Sequence, residues 1–326
     1  MSKNLIATFL LIAIAFTGIG QNGKILKQKE FNASRKLINQ LDDQYDNASY
    51  ADSFATASMH EMTYLSDDYE VKGYMIIPVK PGKYPCLIYN RDGHSEKGLL
   101  NEMFVMEELH KFARWGYVVV ASQYRGHAGG DGKDEFGGDD VNDVLNLIPL
   151  LTNIKSADTS RIGMYGVTRG SMMTFLAMKY SDKIDAAIAE ASIGNLFFYT
   201  AEHSEQGMYE TLLYAIPEYA EDKLSPLKKR SLVYWADDIC KTTPLLIMHG
   251  LSDKEVHPSE SFEINKQLFR HLHPYRMLLF EGGSNGLAEH QLEKDVAMKT
   301  WLHQYVRDER DFPKVINLER RPPPKN

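Results

Sequence analysis

The sequence predicts one large α/β domain, built on a mostly parallel sheet of eight strands with helices on both faces. Short apolar strands alternate with helical segments from residue 85 to 189 and again from 244 to 306. Strands that alternate with helices of this length form parallel sheets covered on both faces. Two further observations agree with this class: a glycine-framed strand-to-helix turn at residues 166–170, and a long insertion at residues 194–241. An insertion at this point of the series is expected to fold over the carboxyl ends of the strands, where ligands bind in open α/β folds.

The individual elements can be placed in chain order. An antiparallel hairpin at the edge of the sheet is predicted over residues 61–79, with its turn at Ser66-Asp67-Asp68, because apolar and polar residues alternate there. The remaining elements are predicted as strands 85–89, 117–123, 161–165, 184–189, 244–249 and 275–280, and as helices 99–115, 139–151, 169–180, 259–271 and 287–306.

Residues 1–20 have the layout of a secretory signal peptide. Lys3 precedes an uninterrupted apolar stretch from Leu5 to Phe16, and small residues suited to cleavage follow it. The apolar stretch is shorter than the ~20 residues of a membrane-spanning helix. We therefore expect export to the periplasm or the exterior, with no stable membrane span after cleavage. An uncleaved membrane anchor is the alternative.

Two other segments flank the core domain, which we place at residues 61–306. Residues 21–60 are polar, with apolar positions such as Phe31 and Leu37 at helical spacing, and predict an amphipathic leader helix outside the domain. Residues 307–326 are charged and end in a proline run, which indicates an extended tail.

Composition excludes several classes of function. A net charge of −7 provides no overall basic field for a polyphosphate backbone, so nucleic acid is not an expected partner. The two cysteines, Cys86 and Cys240, lie far apart in the sequence and are expected to be buried free thiols rather than a disulfide framework. The eleven histidines form no metal-binding motif, so we expect neither a metal nor another cofactor.

The glycine-framed turn has the spacing of a nucleophile elbow. Gly166-Val167-Thr168-Arg169-Gly170 fits the pattern G-x-S-x-G, except that threonine replaces serine. The motif works because a sharp turn with positive φ raises a hydroxyl above the sheet. A β-branched residue at positive φ costs energy. The turn therefore indicates a hydrolase-like scaffold that is altered at the nucleophile position.

Four stretches of the chain together resemble a known family. They lie in the expected order and at predicted strand ends. Residues 62–305 are on this basis similar to the prolyl oligopeptidase family of α/β-hydrolases, and to its small exported members that lack a propeller. The resemblance implies the α/β-hydrolase fold and a serine hydrolase or peptidase scaffold. The stretches are Ser122–Gly126 with the glycine-rich residues 129–132, the elbow at 161–170, Met248–Val256, and Gly282–Gly286.

The resemblance also implies the positions of a catalytic triad. The family order of nucleophile, acid and histidine puts Thr168, Asp253 and Asn285 at those positions. Asparagine cannot take up a proton at neutral pH. Asp253 matches the acid of the family, with the alternative that it caps its own turn.

The same resemblance implies an oxyanion hole and a set of rim residues. The donors would be the backbone N–H of Arg169 and a group in the loop Asn90-Arg91-Asp92-Gly93. The guanidinium groups of Arg91, Arg125 and Arg169 either contact a ligand or form structural ion pairs. Backbone donors survive side-chain changes, so this site is expected to bind a carbonyl oxygen or a carboxylate.

Three functions remain open from the sequence. The first is an exported pseudohydrolase that binds a peptide, ester or glycoside-like ligand in the cap pocket without turnover. The second is an active peptidase or esterase that uses Thr168 and Asp253 with a relocated histidine, either His290 or His94. The third is a purely structural or partner-binding protein. Aromatic residues of the insertion either line the ligand pocket or pack on one another: Phe197, Phe198, Tyr199, Tyr209, Tyr214 and Trp235.

Overall fold

A nine-stranded sheet organises the chain, one strand more than the sequence predicts. The computed structural model describes residues 21–44, 50–94, 96–203 and 207–313. The strand order is β1-β2-β3-β5-β4-β6-β7-β8-β9, antiparallel from β1 to β5 and parallel from β5 to β9. The strands are β1 (Ile25–Phe31), β2 (Ala57–Ser66), β3 (Tyr69–Pro78), β4 (Tyr84–Asn90), β5 (Val118–Ser122), β6 (Ala157–Val167), β7 (Ala186–Glu190), β8 (Leu245–Gly250) and β9 (Tyr275–Phe280).

Helices cover both faces of this sheet, as the sequence predicts. A π-helical turn (Val105–Leu109) separates α3 from α4, and a second (His303–Arg307) follows α12. The helices are α1 (Arg35–Gln44), α2 (Tyr50–Phe54), α3 (Glu102–Phe104), α4 (His110–Arg114), α5 (Val141–Leu145), α6 (Leu147–Leu151), α7 (Arg169–Tyr180), α8 (Leu196–Glu202), α9 (Met208–Ala215), α10 (Leu224–Arg230), α11 (Ser259–Arg270) and α12 (Gln291–Leu302).

The expected leader helix is only partly helical. The segment Ile25–Phe31 forms strand β1, which pairs antiparallel with β2 and becomes one edge of the sheet; helices α1 and α2 follow it. The helical spacing of apolar residues gave the wrong prediction here. The edge of β2 supplies backbone hydrogen-bond partners, and this pairing overrides a weak local preference for helix. The first residues after 24 therefore belong to the sheet, and the hairpin β2–β3 lies inside it rather than at its edge.

Two apolar layers enclose the sheet, one on each face. Alternate side chains of a strand point to opposite faces. On β6, Met164 packs into the layer with α5, α6, α7, α11 and the insertion, whereas Tyr165 packs into the layer with α4 and α12. The layers are therefore separate, and the site at the strand ends has a different set of walls on each side.

The insertion between β7 and β8 forms the expected cap, with helices α8, α9 and α10 and a short 3₁₀ turn. Most of its aromatic residues pack within the protein. Phe197 contacts Tyr234, and Tyr209 contacts Tyr219, edge to face or tilted. By contrast, Tyr214 is 73% exposed. The cap is thus largely a packed layer of its own.

Several expectations concern the chain ends and the thiols. The signal peptide at residues 1–20 and the tail beyond residue 313 lie outside the described residues. Within the described ranges, no helix combines the length and apolar character that a membrane crossing requires. Cys86 is buried, but Cys240 is only half-buried and its Sγ lies 3.1 Å from the Thr242 hydroxyl. The expectation of two buried thiols is therefore wrong for Cys240.

Candidate functional site

The backbone of the elbow has the geometry of a nucleophile turn. Thr168 lies between β6 and α7 with φ 50° and ψ −111°, and its N–H donates to the carbonyl of Glu190 at 2.9 Å. A Cβ at Gly166 would lie 2.1 Å from the carbonyl oxygen of Gly170, and a Cβ at Gly170 would lie 2.0 Å from that of Asn90. Only glycine fits at these two positions, so strand and helix approach closely and lift residue 168 above the sheet.

The hydroxyl of Thr168 faces an amide. The Asn285 Nδ2 lies 3.5 Å from Thr168 Oγ1 and donates to the carboxylate of Asp253 at 3.0 Å. The structure therefore brings together the three residues that the sequence places at the triad positions. Because the carboxylate requires a donor, the NH₂ end of the amide is the end that faces both groups. The hydroxyl thus has a donor beside it instead of a proton acceptor.

Asp253 is held as an ionised acid. Its Oδ1 accepts the backbone N–H groups of Glu255 and Val256 at 2.8 and 2.9 Å. Burial alone would raise the pKa of Asp253, but hydrogen bonds from His249, these two N–H groups and Asn285 lower it below the ordinary value. The carboxylate has the charge that would stabilise an imidazolium, although an amide occupies that position.

His249 supports this carboxylate, a role that the sequence did not reveal. It is fully buried, and its Nε2 lies 3.4 Å from Asp253 Oδ2 and 2.9 Å from the carbonyl of Val256. Its Nδ1 lies 2.6 Å from the Ser261 hydroxyl. The position of His249 near the end of an apolar strand, four residues before the acid, is the signal that could have indicated it.

A carboxylate occupies the main-chain donor of the expected oxyanion hole. The backbone N–H of Arg169 donates to Asp92 Oδ1 at 3.2 Å. Burial raises the pKa of Asp92, partly offset by the N–H groups of Gly93 and Arg169. The expectation that this donor remains available to a carbonyl oxygen or carboxylate is therefore wrong for this conformation. An oxyanion approaching Thr168 would meet a carboxyl group at the place where it needs a donor.

The side chain of Arg169 forms ion pairs in the protein interior. Its guanidinium is bound by Asp134 Oδ1 at 2.6 Å and by Asp140 Oδ2 at 2.8 Å, and it lies over the ring of Phe136. Burial raises the pKa of Asp134, but Arg169 and His127 hold it well below its ordinary range. Of the two roles left open for Arg169, ligand contact or structural ion pair, this geometry is that of the structural pair.

The other arginines of the rim are also engaged by the protein. Arg91 is fully buried and donates to the carbonyl of Gln123 at 2.8 and 3.0 Å. Burial, together with the charge of Arg169, lowers its pKa to about 10. Arg125 pairs with Asp143 at 2.8 Å. These contacts fix the loops after β4 and β5 rather than presenting cations to the site.

The amide of Asn90 is also structural, since its Nδ2 donates to the Thr174 hydroxyl at 2.9 Å. The residues that the structure describes include no group of three or more histidine, cysteine or acidic side chains arranged to hold a metal ion.

The two histidines considered as relocated bases bind elsewhere. His290 Nδ1 lies 2.8 Å from the carboxylate of Glu293, and its Nε2 lies 2.8 Å from the carbonyl of Glu281. His94 Nε2 lies 3.4 Å from the hydroxyl of Thr211. Among the described residues, the only side-chain hydrogen bond to Thr168 Oγ1 is that of Asn285.

A cleft of about 460 Å³ opens between the cap and the loops after β4 and β5. Helix α9 contributes Thr211 and Tyr214, and the loops contribute His94, His127 and Phe136. A volume of this size suits a drug-sized or smaller ligand. The cleft is therefore a space between the cap and these two loops that a ligand can enter.

Comparison with known proteins identifies the family to which this chain is similar. A sequence model described as the prolyl oligopeptidase family matches residues 103–309. The match runs from helix α3 to two residues past the π-helical turn His303–Arg307 and includes the elbow, Asp253 and Asn285.

Curated relatives include peptidases of very different lengths. The chain is 25% identical over 216 residues to the uncharacterized peptidase YtmA of Bacillus subtilis (strain 168), across 64% of this chain and 79% of that protein. It is 26% identical over 207 residues to the acylamino-acid-releasing enzyme of Mus musculus, across 59% of this chain and 28% of that protein. The chain thus spans most of the bacterial relative and less than a third of the mouse enzyme.

Solved structures show the same fold. The acylaminoacyl peptidase of Pyrococcus horikoshii superposes with a TM-score of 0.64 at 22% identity, covering 77% of this chain and 42% of that chain. Dipeptidyl peptidase 4 of Porphyromonas gingivalis gives 0.60 at 16% identity, covering 77% and 42%. Likeness at these identities establishes the α/β-hydrolase fold and leaves activity to the residues of the site.

Proposed function

Because the chain belongs to the prolyl oligopeptidase family, we propose that it is a pseudohydrolase, a member that binds a ligand under its cap without performing acyl transfer. The peptidase scaffold comes from the family. The loss of chemistry is inferred from side chains of this chain. The ligand class we propose is a peptide, an ester or a glycoside-like molecule.

One observation carries this proposal: the hydroxyl of Thr168 has the Asn285 amide as its neighbour. A neutral alcohol becomes a nucleophile when an adjacent base takes its proton. The Asn285 NH₂ group is a donor, 3.5 Å away, and cannot act as that base. In subtilisin, loss of the catalytic histidine alone lowers kcat about 10⁶-fold.

Asp92 supports the same proposal independently. A hydrolase stabilises the negative charge of its tetrahedral intermediate with preorganised N–H donors. Here the Arg169 N–H already binds the carboxylate of Asp92. Base and oxyanion donor are thus both compromised, by residues from different loops.

A working peptidase or esterase with a relocated base is the second candidate, and its geometry is less favourable. A base needs to lie within about 2.6–3.2 Å of the proton it takes, with allowance for looser geometry without substrate. His290 is bound to Glu293 and Glu281, and His94 is close to Thr211. No observation on the described residues favours either one as the base.

We also propose that the protein acts outside the cytoplasm. This proposal depends on the signal-like layout of residues 1–20, with Lys3 before the apolar stretch Leu5 to Phe16. Detection of the processed protein in a periplasmic or extracellular fraction tests it, and retention of the uncut chain in the cytoplasm contradicts it.

The experiment compares the natural chain with restored variants. We expect a fluorophosphonate probe to leave the natural protein unlabelled and to label the double variant Thr168→Ser with Asn285→His. Adding Asp92→Gly frees the Arg169 N–H, so we expect ester hydrolysis by the triple variant to exceed that of the double variant by about 10²- to 10³-fold.

The control is the triple variant with Thr168→Ala instead of Thr168→Ser, which keeps the other two changes and lacks the nucleophile. Labelling of the natural protein at Thr168, or ester turnover that disappears in the single variant Thr168→Ala, would falsify the pseudohydrolase proposal. Binding under the cap is tested separately, by loss of peptide binding in Phe136→Ala and Thr211→Ala, two residues of the cleft.

A further inference from the structure

A second cavity, of about 350 Å³, lies on the other side of the sheet from the cap. Its floor is formed at the carboxyl ends of three parallel strands, by Tyr89 of β4, Tyr165 of β6 and Glu190 of β7. One wall comes from α3 and the π-helical turn, and the other comes from α12 and the Asn285 loop. Carboxyl ends of parallel strands are where open α/β sheets bind ligands.

A buried network of charge lines this cavity. The carboxylate of Glu190, fully buried, accepts the Tyr165 hydroxyl at 2.5 Å and lies 3.4 Å from the ammonium of Lys294. Lys294 also donates to the carbonyl of Gly286 at 2.6 Å. An ammonium has three donors, so one remains for a further acceptor. Burial of such a pair costs desolvation energy, which a purely apolar filling would avoid.

Aromatic rings and carboxylates contribute much of the remaining lining. The rings of Tyr89 and Phe104 lie 5.8 Å apart, and those of Tyr89 and Tyr165 lie 5.4 Å apart. Burial, together with the negative charges of Glu190 and Glu108, raises the pKa of Tyr165. The carboxylate of Glu190 therefore lies within hydrogen-bond distance of this ring hydroxyl, and the carboxylate of Glu108 lines the same cavity.

The rim contains a π-helical turn that presents Glu107 and Glu108. Such turns are rare and often occur at functional sites. Lys111 lies 3.3 Å from Glu108 and 2.9 Å from Asp295, whereas Glu107 is exposed and has no ion pair among the described residues.

We propose that this cavity binds a small zwitterion, namely a free α-amino acid with an apolar side chain. The ligand carboxylate would accept the remaining donor of Lys294, and the ligand ammonium would face Glu190 and the rim carboxylates. The side chain would pack on Tyr89 and Phe104. Glu190 and Lys294 already neutralise each other, so a simple anion or a simple cation would leave a net charge in the cavity. A zwitterion offers one group to each partner and adds no net charge.

The cavity is distinct from the cleft under the cap, but the two share structural supports. The Glu190 carbonyl accepts the N–H of Thr168, and the Gly286 carbonyl that binds Lys294 is adjacent to Asn285. The amino acid would therefore bind behind the elbow, in contact with the loop that places Asn285.

Titration calorimetry on the full chain tests this proposal with L-phenylalanine and L-leucine. We expect saturable binding of both. N-acetyl-L-phenylalanine lacks the ammonium and L-phenylalaninamide lacks the carboxylate. We expect each of these to bind at least about tenfold more weakly than L-phenylalanine, since each loses a charge-assisted hydrogen bond.

Variants locate the binding. Ala288 is exposed at the rim, so Ala288→Trp should fold normally, block the cavity and abolish binding, and Lys294→Met should weaken binding at least about tenfold. The matched control is Tyr214→Ala, an exposed residue of the cap cleft, which should leave the affinity unchanged.

Three results would overturn the proposal: no saturable binding of either amino acid, equal affinity for the N-acetyl or amide derivative, or unchanged binding in folded Ala288→Trp. These readouts do not involve hydrolysis. Turnover at Thr168 would therefore defeat the pseudohydrolase proposal and leave this one intact.

Discussion

The backbone of the elbow and the side chains around it differ in how far they depart from a working hydrolase. The backbone keeps every feature of the turn: positive φ at Thr168, the close approach of Gly170 to Asn90, and a helix that starts at the next residue. The side chains present an amide and a carboxylate where the chemistry needs a base and an oxyanion donor. The difference teaches that the turn is maintained by packing between β4, β6 and α7, independently of the reaction it can support.

The structural frame of the elbow consists of β4, β6, α7 and the buried groups that hold them together. Arg169, the residue after the nucleophile position, belongs to this frame. Its N–H is the expected oxyanion donor, yet its guanidinium joins Asp134 and Asp140 beneath the cap loops. If frame and chemistry are separable, changes in the frame should cost stability, whereas changes in the reactive side chains should cost little. The following variants test this separation in order of expected effect.

The largest effect is expected for Arg169→Met. Removing the guanidinium leaves two buried carboxylates without their cation, and breaking a buried pair in this way costs about 3–5 kcal/mol. Denaturant unfolding at pH 7 measures the loss. The deficit should shrink between pH 7 and pH 5, because unpaired buried carboxylates take up protons.

The matched control for this variant is Lys179→Met on the same helix. Lys179 pairs with the exposed Asp238 and lies over the ring of Trp235, and surface contacts of this kind contribute about 1 kcal/mol or less. Equal losses for the two variants would show that Arg169 is not part of the frame.

Gly170→Ala is expected to cost about 3 kcal/mol. Its Cβ would lie 2.0 Å from the carbonyl oxygen of Asn90, a backbone atom of β4 that cannot rotate away. Gly116→Ala is the control, since it has φ +91° but no atom within 4 Å of its Cβ; strain alone there should cost about 1 kcal/mol. A Gly170→Ala protein as stable as the control would mean that β4 and α7 move apart easily.

His110→Phe sharpens the comparison through pH. His110 is buried with Nε2 unpaired, and burial, together with the charge of Arg114, lowers its pKa to about 4. The unfolded chain takes up this proton near pH 6.5, so stability is lost as the pH falls from 6.5 toward 4. Between pH 7 and pH 5 the free energy of unfolding of the natural protein should fall by roughly 2 kcal/mol more than that of the variant.

Unfolding curves for the two proteins at pH 7 and pH 5 measure this difference, and a parallel fall in both would contradict it. The exposed His257→Phe serves as control and should follow the natural protein. A difference confined to His110→Phe would show that the buried imidazole of His110 acts on the stability of the fold.

The sequence predicted the structural frame correctly wherever the spacing of residues determines the backbone geometry. The glycines at 166 and 170 predicted the elbow, and helix α7 begins and ends where the pattern placed it, at Arg169 and Tyr180. The strand β1 was missed because its partner is the edge of β2, and edge pairing leaves no local signal in Ile25–Phe31.

The partners of charged side chains could not be predicted in the same way. Asp92 was expected to lie in the oxyanion loop, but nothing local indicates that its carboxylate turns toward the Arg169 N–H. Glu190 and Lys294 are 104 residues apart in sequence and meet only because α12 packs beside β7. A charged residue at the end of the apolar strand Ala186–Glu190 was the available signal for the second cavity.

The smallest effect is expected at the nucleophile position itself, for Thr168→Gly. The angles φ 50° and ψ −111° resemble the first central residue of a type II′ turn, where glycine dominates. A threonine held at these angles stores about 1–3 kcal/mol of backbone strain. Glycine relieves this strain, but part of the gain is lost because glycine gives the unfolded chain more conformational entropy. We expect a net gain of about 1 kcal/mol in the free energy of unfolding. Thr168→Ala keeps a Cβ at the same angles and should show no such gain, so the difference between the two variants isolates the strain. A clear loss in Thr168→Gly would mean that the threonine side chain helps to hold the turn, and that frame and chemistry are joined at this residue after all.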